Sequence, residues 1–356
     1  MSHRPVPHSR PLHDEADVDA ASALLRSQMT ASGREASGFA RCLETAFDGH
    51  AACTTASGTL ALVAALAAFD VGAGDEVVIP TYVCGEVLDA VYYLGARPVL
   101  ADIDPATYSL SLATVKAVVR PRCRAVVVPH MFGIPAAVDE IQHIGLPIIE
   151  DLALGLGARL KGRRAGAWGD ACILSFKAIK MISAGEGGAV VIRDRRAARR
   201  LSRLRARREP GRPTFDFPMS DLAATVVRAQ WRRLGEFLRR RKALVRRYRA
   251  AFSDLSGSGV VLPPDRAGCA WFRFPITLPR SMPVLAARAA LARKGIQARQ
   301  PVNALLHRHL ALAPARFPAA ERAFASTLSL PLYPALTERD QDRVIDAFRG
   351  FVEACT

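Results

Sequence analysis

An α/β fold, with a mostly parallel sheet covered by helices on both faces and a smaller α+β domain after it, is what the sequence predicts. Three observations carry this. Short apolar runs alternate with helical stretches of about ten residues, the pattern of crossover units joining parallel strands. The runs VVIP, PVLA, AVVVP, PIIE, ACIL and GAVVI are continuous rather than alternating, which marks strands buried on both faces. From about residue 219 the alternation stops and long helical structure takes over.

Each element has its own signal. LALVAALAAF (60–69) is apolar on every side and preceded by Thr, Ser and Gly, so it reads as a buried helix. A strand is expected at 76–80, a helix at 86–95 stopping at Gly95, and a second strand at 96–104 closed by Pro105. LATVKAVVRP (112–121) and AAVDEIQHIG (136–145) are helical and flank a third strand, RAVVVPHMFG (124–133). Further strands are expected at 146–152, 170–176 and 188–194. PGRPTF (210–215) reads as a loop, and 219–252 as a long helix with Ser220 as N-cap. CAWFRFPITL (269–278) reads as a strand, 283–295 as a helix ending at Gly295, and 337–354 as a helix capped by Thr337. A chain of 356 residues exceeds one ordinary core, so the expected division is an extension over 1–13, a large domain over 14–240 and a small one over 241–356.

Composition narrows the function. No run of 18 or more apolar residues exists, so no membrane span is expected, and the first residues lack the apolar core of a secretory signal. Seven scattered cysteines without a CxxC fit reduced thiols and a cytoplasmic location, not a disulfide framework or a zinc site. The formal charge of +16 concentrates in 193–212 and 232–249. No aromatic-interleaved, zinc-finger or helix-turn-helix pattern accompanies it, so nucleic acid is not the expected partner. A basic mouth for an anionic small substrate and a plain Arg-rich solvated surface are the readings of that charge that stay open. Ligands of parallel sheets sit beyond the carboxyl ends of the strands. The polar residues there are Thr81, Tyr82, Asp102, Asp104, His130, Glu150, Asp151 and Ser175.

Three segments form an ordered set. ASGTLAL (56–62) is a small-residue turn opening a helix, whose free amides and positive end suit a phosphate. EDLALGLGA (150–158) ends a buried strand in Asp151, where an ionised carboxylate needs a cation. SFKAIK (175–180) then offers Lys177 and Lys180. A phosphate cradle, a buried Asp and a Lys are what pyridoxal phosphate (PLP) requires: anchorage, an ion pair for the pyridine nitrogen, and a Schiff-base amine.

With SGTLALVAAL, VGAGDEVVIPTYVCGEVLDAVYYLGARPVLADID, HMFGIP, EDLALGLGA, the SFxxxK spacing followed by GEGGAVV, MSDLAA and LSLPLYPALTERDQDRVIDAF, the chain resembles the DegT/DnrJ/EryC1/StrS aminotransferases from about residue 10 to its end. The resemblance implies the PLP-dependent transferase fold type I and a homodimer with the cofactor at the subunit interface. It also implies transamination of a keto substrate, a nucleotide-linked sugar or related cyclitol in most relatives, by an amino donor such as glutamate. By the same resemblance, Lys180 is the Schiff-base lysine and Asp151 the pyridinium partner, while Gly58, Thr59 and Ser175 contact the phosphate. Cys84 falls where relatives often stack an aromatic on the ring. Leu154 stands where relatives carry a Gln that reaches the cofactor's 3-hydroxyl. Leu156 replaces a polar residue, Asp216 an Asn and Pro218 an Arg. Two alternatives stay open: a sugar dehydratase of the same family, against which Lys180 counts because those enzymes carry His there, and a PLP-binding member with a regulatory or other non-transaminase role.

Overall fold

The computed structural model describes residues 4–206 and 214–356, so part of the basic 193–212 stretch and residues 210–213 of the expected loop lie outside the described residues. The strands are β1 (Ala51–Thr55), β2 (Glu76–Pro80), β3 (Arg97–Ala101), β4 (Cys123–Pro129) and β5 (Ile148–Asp151). A two-strand hairpin, β6 (Arg159–Leu160) and β7 (Arg163–Arg164), precedes β8 (Ala171–Ser175) and β9 (Gly188–Ile192). Among the described residues, seven strands form one sheet in the order β1-β9-β8-β5-β4-β2-β3. Only β9 runs against its neighbours, so the sheet is mostly parallel.

Strand side chains alternate between faces, and here both faces are core. Val77, Ile79, Ala125, Val127, Ile149, Ile173 and Val190 pack on one side with the helix Gly58–Ala68. Val78, Val126, Val128 and Ile148 pack on the other. The continuous apolar runs are explained by this double burial. The helix Gly58–Ala68 is buried at every position from Ala61 to Ala68, because it is itself covered by the helices Gly85–Tyr93 and Arg195–Arg205.

Several expected elements are shorter. The helix at 112–121 is Leu112–Lys116, and 136–145 is the turn Val138–Ile141 continued by a 3-10 stretch. Strand β4 stops at Pro129, because Phe132 takes φ +60° in a tight turn. The expected strand over 269–278 is reduced to β10 (Phe274–Thr277): Trp271 has φ +53°, and the amides of Ala270 and Phe272 donate to the carbonyls of Gly133 and Phe132 instead. Helices Glu15–Ser27 and Arg34–Ala46, strand β1 and β11 (Thr327–Leu330) have no counterpart among the expected elements. The long helix is Asp221–Ala251, capped by Ser220.

A second apolar cluster gathers Tyr248, Phe252, Phe274, Leu330 and Phe348 around the antiparallel pair β10–β11 and the helices Val284–Arg293 and Glu338–Glu353. Val6 belongs to it, with its backbone bridged to Gly295 and Gln297. Val302, Leu305, Leu306, Phe317 and Ala320 instead join the main core beside the sheet. Among the described residues no helix is long and apolar enough to cross a membrane.

One buried carboxylate organises the turn after β5. Glu150, fully buried, accepts hydrogen bonds from the amides of Trp168 (2.8 Å), Gly169 (2.6 Å) and Gly166 (2.7 Å) and from His130 Nε2 (2.9 Å). The Ala136 amide donates to His130 Nδ1 at 3.1 Å, so the ring proton lies on Nε2. Burial alone raises the Glu150 carboxyl, but these donors outweigh it and hold the group below its ordinary value. Its stabilisation is therefore complete above the ordinary carboxyl range and lost as pH falls through the lowered folded value. Glu150→Ala is expected to cost about 3–5 kcal/mol in urea denaturation, because it strands buried donors. A loss under about 1 kcal/mol would mean that these amides find other acceptors.

Candidate functional site

A cleft of about 560 Å³ opens beyond the carboxyl ends of β4, β5 and β8, and Gly58, Thr59, Cys84, Asp151, Leu154, Ser175 and Lys180 all line it. Of the other strand-end residues, His130 reaches the cleft. Thr81 is turned to His307 (2.7 Å), Asp102 accepts the Ala319 and Ala320 amides, Asp104 accepts the Ala106 amide, and Tyr82 is fully buried. Leu156 packs in the core beside Phe39 and Leu174. Asp216 lines a different cavity, with Cys53 and Arg205.

The polar end of the cleft is built by close packing. Ser57 caps the helix Gly58–Ala68 by accepting the Leu60 amide at 3.2 Å, leaving the first-turn amides of Gly58 and Thr59 without intrahelical acceptors. A Cβ on Gly58 would stand 2.7 Å from Ser175 Cβ and 3.0 Å from its Oγ, so only glycine lets the helix end meet that hydroxyl. Likewise a Cβ on Gly188 would lie 2.3 Å from the Ser57 carbonyl oxygen, which accounts for glycine at the start of β9. Amides, a hydroxyl and a positive helix end suit a phosphate.

Asp151 ends β5 on the face opposite to Glu150 and is 5% exposed. Its Oδ1 accepts the Ala153 amide at 2.8 Å. Burial raises its carboxyl above the ordinary value, and the Ala153 amide and the Lys180 charge offset this only in part. A cation is what the site lacks. Cys84 faces the cleft, yet the surrounding protein and the carboxylates of Asp151 and Glu86 push its thiol up to about 12, so it is a neutral wall.

The two lysines differ in setting. Segment 176–187 is a closed loop, pinned by the Phe176 amide on Gly187 O (2.8 Å), Ala178 on Gly185 O (2.9 Å) and Ala184 on Phe176 O (2.9 Å). At its turn the Lys180 amide donates to Lys177 O at 2.8 Å. Lys177 is exposed, with Nζ 3.8 Å from Glu86 Oε1. Lys180 is half-buried, with Nζ 6.0 Å from the centroid of the Phe272 ring.

Residues from the C-terminal part also reach the cleft: Arg273, Arg299, 301–306 and His309. Sequence reasoning missed them. The one available signal was Arg273 inside the apolar run WFRFPITL, since a charge in a buried strand needs a reason. The cleft's cations thus come from elsewhere than the described residues of the basic stretches at 193–212 and 232–249. Taken together, the amide-rich helix end, the underpaired buried carboxylate and a half-buried lysine in one cleft fit pyridoxal phosphate.

The chain belongs to the DegT/DnrJ/EryC1/StrS aminotransferase family, whose model matches residues 11–349. It is a PLP-dependent aminotransferase of that family. The aminotransferase TlmJ from Streptoalloteichus hindustanus is 29% identical, with 99% of this chain and 100% of that one covered at a TM-score of 0.91. DesV from S. venezuelae, solved in complex with a ketimine intermediate, is 30% identical, covering 95% and 94% at a TM-score of 0.84. NtdA from Bacillus subtilis, solved with bound PMP, shares the fold at 23% identity and a TM-score of 0.85, covering 95% and 82%.

The raised Asp151 carboxyl has a stability consequence. A folded value above the unfolded one costs stability as pH rises through that window, and the cost persists at higher pH. In cofactor-free protein Asp151→Asn should therefore melt higher than the parent at pH 8, on the order of 2 °C, with the difference shrinking toward pH 4. A lower melting temperature for the variant at pH 8 would show that the carboxylate is already compensated.

Proposed function

We propose that this aminotransferase converts the keto group of a nucleotide-linked sugar, or of a related cyclitol, to an amine, taking nitrogen from an amino acid such as glutamate. The carrying observation is that Lys180 and Asp151 share one cleft with the amide-bearing helix end at Gly58. A cleft of about 560 Å³ lies in the range that admits a cofactor and a small substrate.

When bound, pyridoxal phosphate supplies an electron sink for the carbon that gains or loses nitrogen. The residues around it divide the remaining tasks. The Gly58 and Thr59 amides and the Ser175 hydroxyl hold the phosphate. Asp151, ionised once a cation faces it, keeps a proton on the ring nitrogen. Lys180 Nζ holds the cofactor covalently at rest and, when released, takes a proton from the substrate carbon and returns it on the other side of the exchange. Cys84 and Leu154 are walls that donate no strong hydrogen bond. Lys177, salt-bridged to Glu86 at the rim, is left to the substrate's anionic part. The homodimer implied by the resemblance would cover the exposed Tyr92, Tyr93 and Ile179, and sedimentation would measure it.

Borohydride treatment of the holoprotein should fix the cofactor on the peptide containing Lys180. Lys180→Ala should abolish both turnover and exchange of the substrate proton, whereas Lys177→Ala should raise KM with kcat largely kept. Cofactor recovered on Lys177 would sink the assignment.

Leu154 gives a second test, since it lines the cleft where relatives carry Gln. Leu154→Gln should tighten cofactor binding by about 0.5–1.5 kcal/mol, the worth of one hydrogen bond, and shift the pH at which the bound cofactor's visible absorbance changes. No change in either would show that residue 154 does not touch the cofactor's polar edge.

A further inference from the structure

The loop that carries Lys180 has one polar anchor outside itself. The bonds from Phe176 to Gly187, Ala178 to Gly185 and Lys180 to Lys177 close the segment on itself. Met181, Ile182 and Ser183, which follow the lysine directly, are buried. The Ser183 amide donates at 2.8 Å to Oε1 of Gln230, in the long helix Asp221–Ala251. Among the described residues this is the one hydrogen bond that leaves segment 177–186 for another element. A buried backbone N–H has to find an acceptor, so loss of Gln230 strands a donor three residues from the lysine.

The other end of the Gln230 amide fixes its orientation. Its Nε2 faces Asp17 Oδ2 (2.9 Å), His13 Nδ1 (2.9 Å) and the Leu12 carbonyl (3.1 Å). Turned over, the amide would set its oxygen against a carboxylate and a carbonyl, and its NH2 against the Ser183 N–H. Gln230, 2% exposed, thus stands between the lysine loop and the N-terminal segment. The next residue, Trp231, adds an apolar hold. Its ring and that of Phe176 both meet the Phe39 ring edge-on, at centroid distances of 5.8 and 5.3 Å.

Resting on the reading of Lys180 above, we propose that Gln230 is a positioning residue for that lysine. An amine that serves first the cofactor and then the substrate carbon must arrive within hydrogen-bond reach on each visit. A displacement of about 1 Å costs on the order of a hundredfold in rate. A side chain can swing with that precision only from a backbone that stays put, which takes support from behind the site. Gln230 supplies it from a helix of 31 residues, none of which lines the cleft. It touches neither cofactor nor substrate, so its effect falls on the rate of the Lys180 step and not on substrate binding.

The test compares Gln230→Met, which keeps the length and loses the amide, with Gln230→Glu, which keeps an oxygen for the Ser183 N–H. His13→Ala, at the exposed far end of the network, is the control. Amide hydrogen exchange is followed on the cofactor-free full chain. On the holoenzyme, conversion of the cofactor by L-glutamate, or by whichever common amino acid converts the parent fastest, is read from visible absorbance. In Gln230→Met, peptides spanning 176–187 should exchange at least about tenfold faster, while those of β4 and β5 keep their rates. The maximal conversion rate should fall about tenfold or more, with the half-saturating donor concentration within about twofold. Gln230→Glu should recover slow exchange at 176–187 and part of the rate, and His13→Ala should keep both. Gln230→Asn, one carbon shorter, should match Gln230→Met and decides the matter if the methionine variant does not fold. Unchanged exchange and rate overturn the proposal, as does a shift in half-saturation alone or a lower melting temperature with the rate kept. If borohydride fixes the cofactor elsewhere than on Lys180 while Gln230→Met still loosens 176–187, the lysine reading fails and the positioning role with it, and only the tether stands.

Discussion

Two carboxylates, Glu150 and Asp151, are buried side by side at the end of β5, and strand geometry forces them apart. Neighbouring side chains on a strand point to opposite faces, so each must be compensated separately. Glu150 turns to the face where the chain folds back on it with three amides and His130. Asp151 turns to the helix Gly58–Ala68 face, where the fold supplies one amide and the partial help of Lys180. The result is one lowered and one raised carboxyl on adjacent residues, a division of labour between holding the fold and awaiting a cation.

That division explains how much of the site was legible. Asp151 and Ser175 end strands whose apolar runs are unmistakable and Lys180 follows one, so these strand ends could be read directly and the cleft located beyond them, while Gly58 was read from its own small-residue turn. Lys180 could not be separated from Lys177 by residue type, only by family spacing; the closed loop 176–187 is what sets one outward and the other inward. Strand β1 was harder, since AACTT is short and has only modest apolar content. Arg299 had no local signal of a site and Arg273 only its charge inside an apolar run, because the cleft wall they form depends on β10 and β11 pairing across about fifty residues of chain.

The basic surplus reads differently once its partners are placed. Arg228 pairs with Glu35, Arg233 with Asp14, Arg247 with Asp342 and Arg200 with Asp70. Much of the long helix Asp221–Ala251 thus works as a spine, clamping the N-terminal helices at one end and the C-terminal body at the other. Exposed pairs of this kind are individually weak, but their distribution along one helix ties three segments together. Net charge was a poor guide to the site.

Asp151 and Arg273 pose the same physical problem with opposite sign. Each is charge kept in a cleft where burial disfavours it, and neither is neutralised by the fold. Such groups lower the stability of the empty protein and raise its affinity for whatever completes them, since a ligand that binds only the folded state stabilises it by mass action. A cationic ring nitrogen would answer the carboxylate, and an anion would answer Arg273. With the amine of Lys180 in the same cleft, the unmet charges together describe a site whose occupants carry complementary charge and meet at one nitrogen.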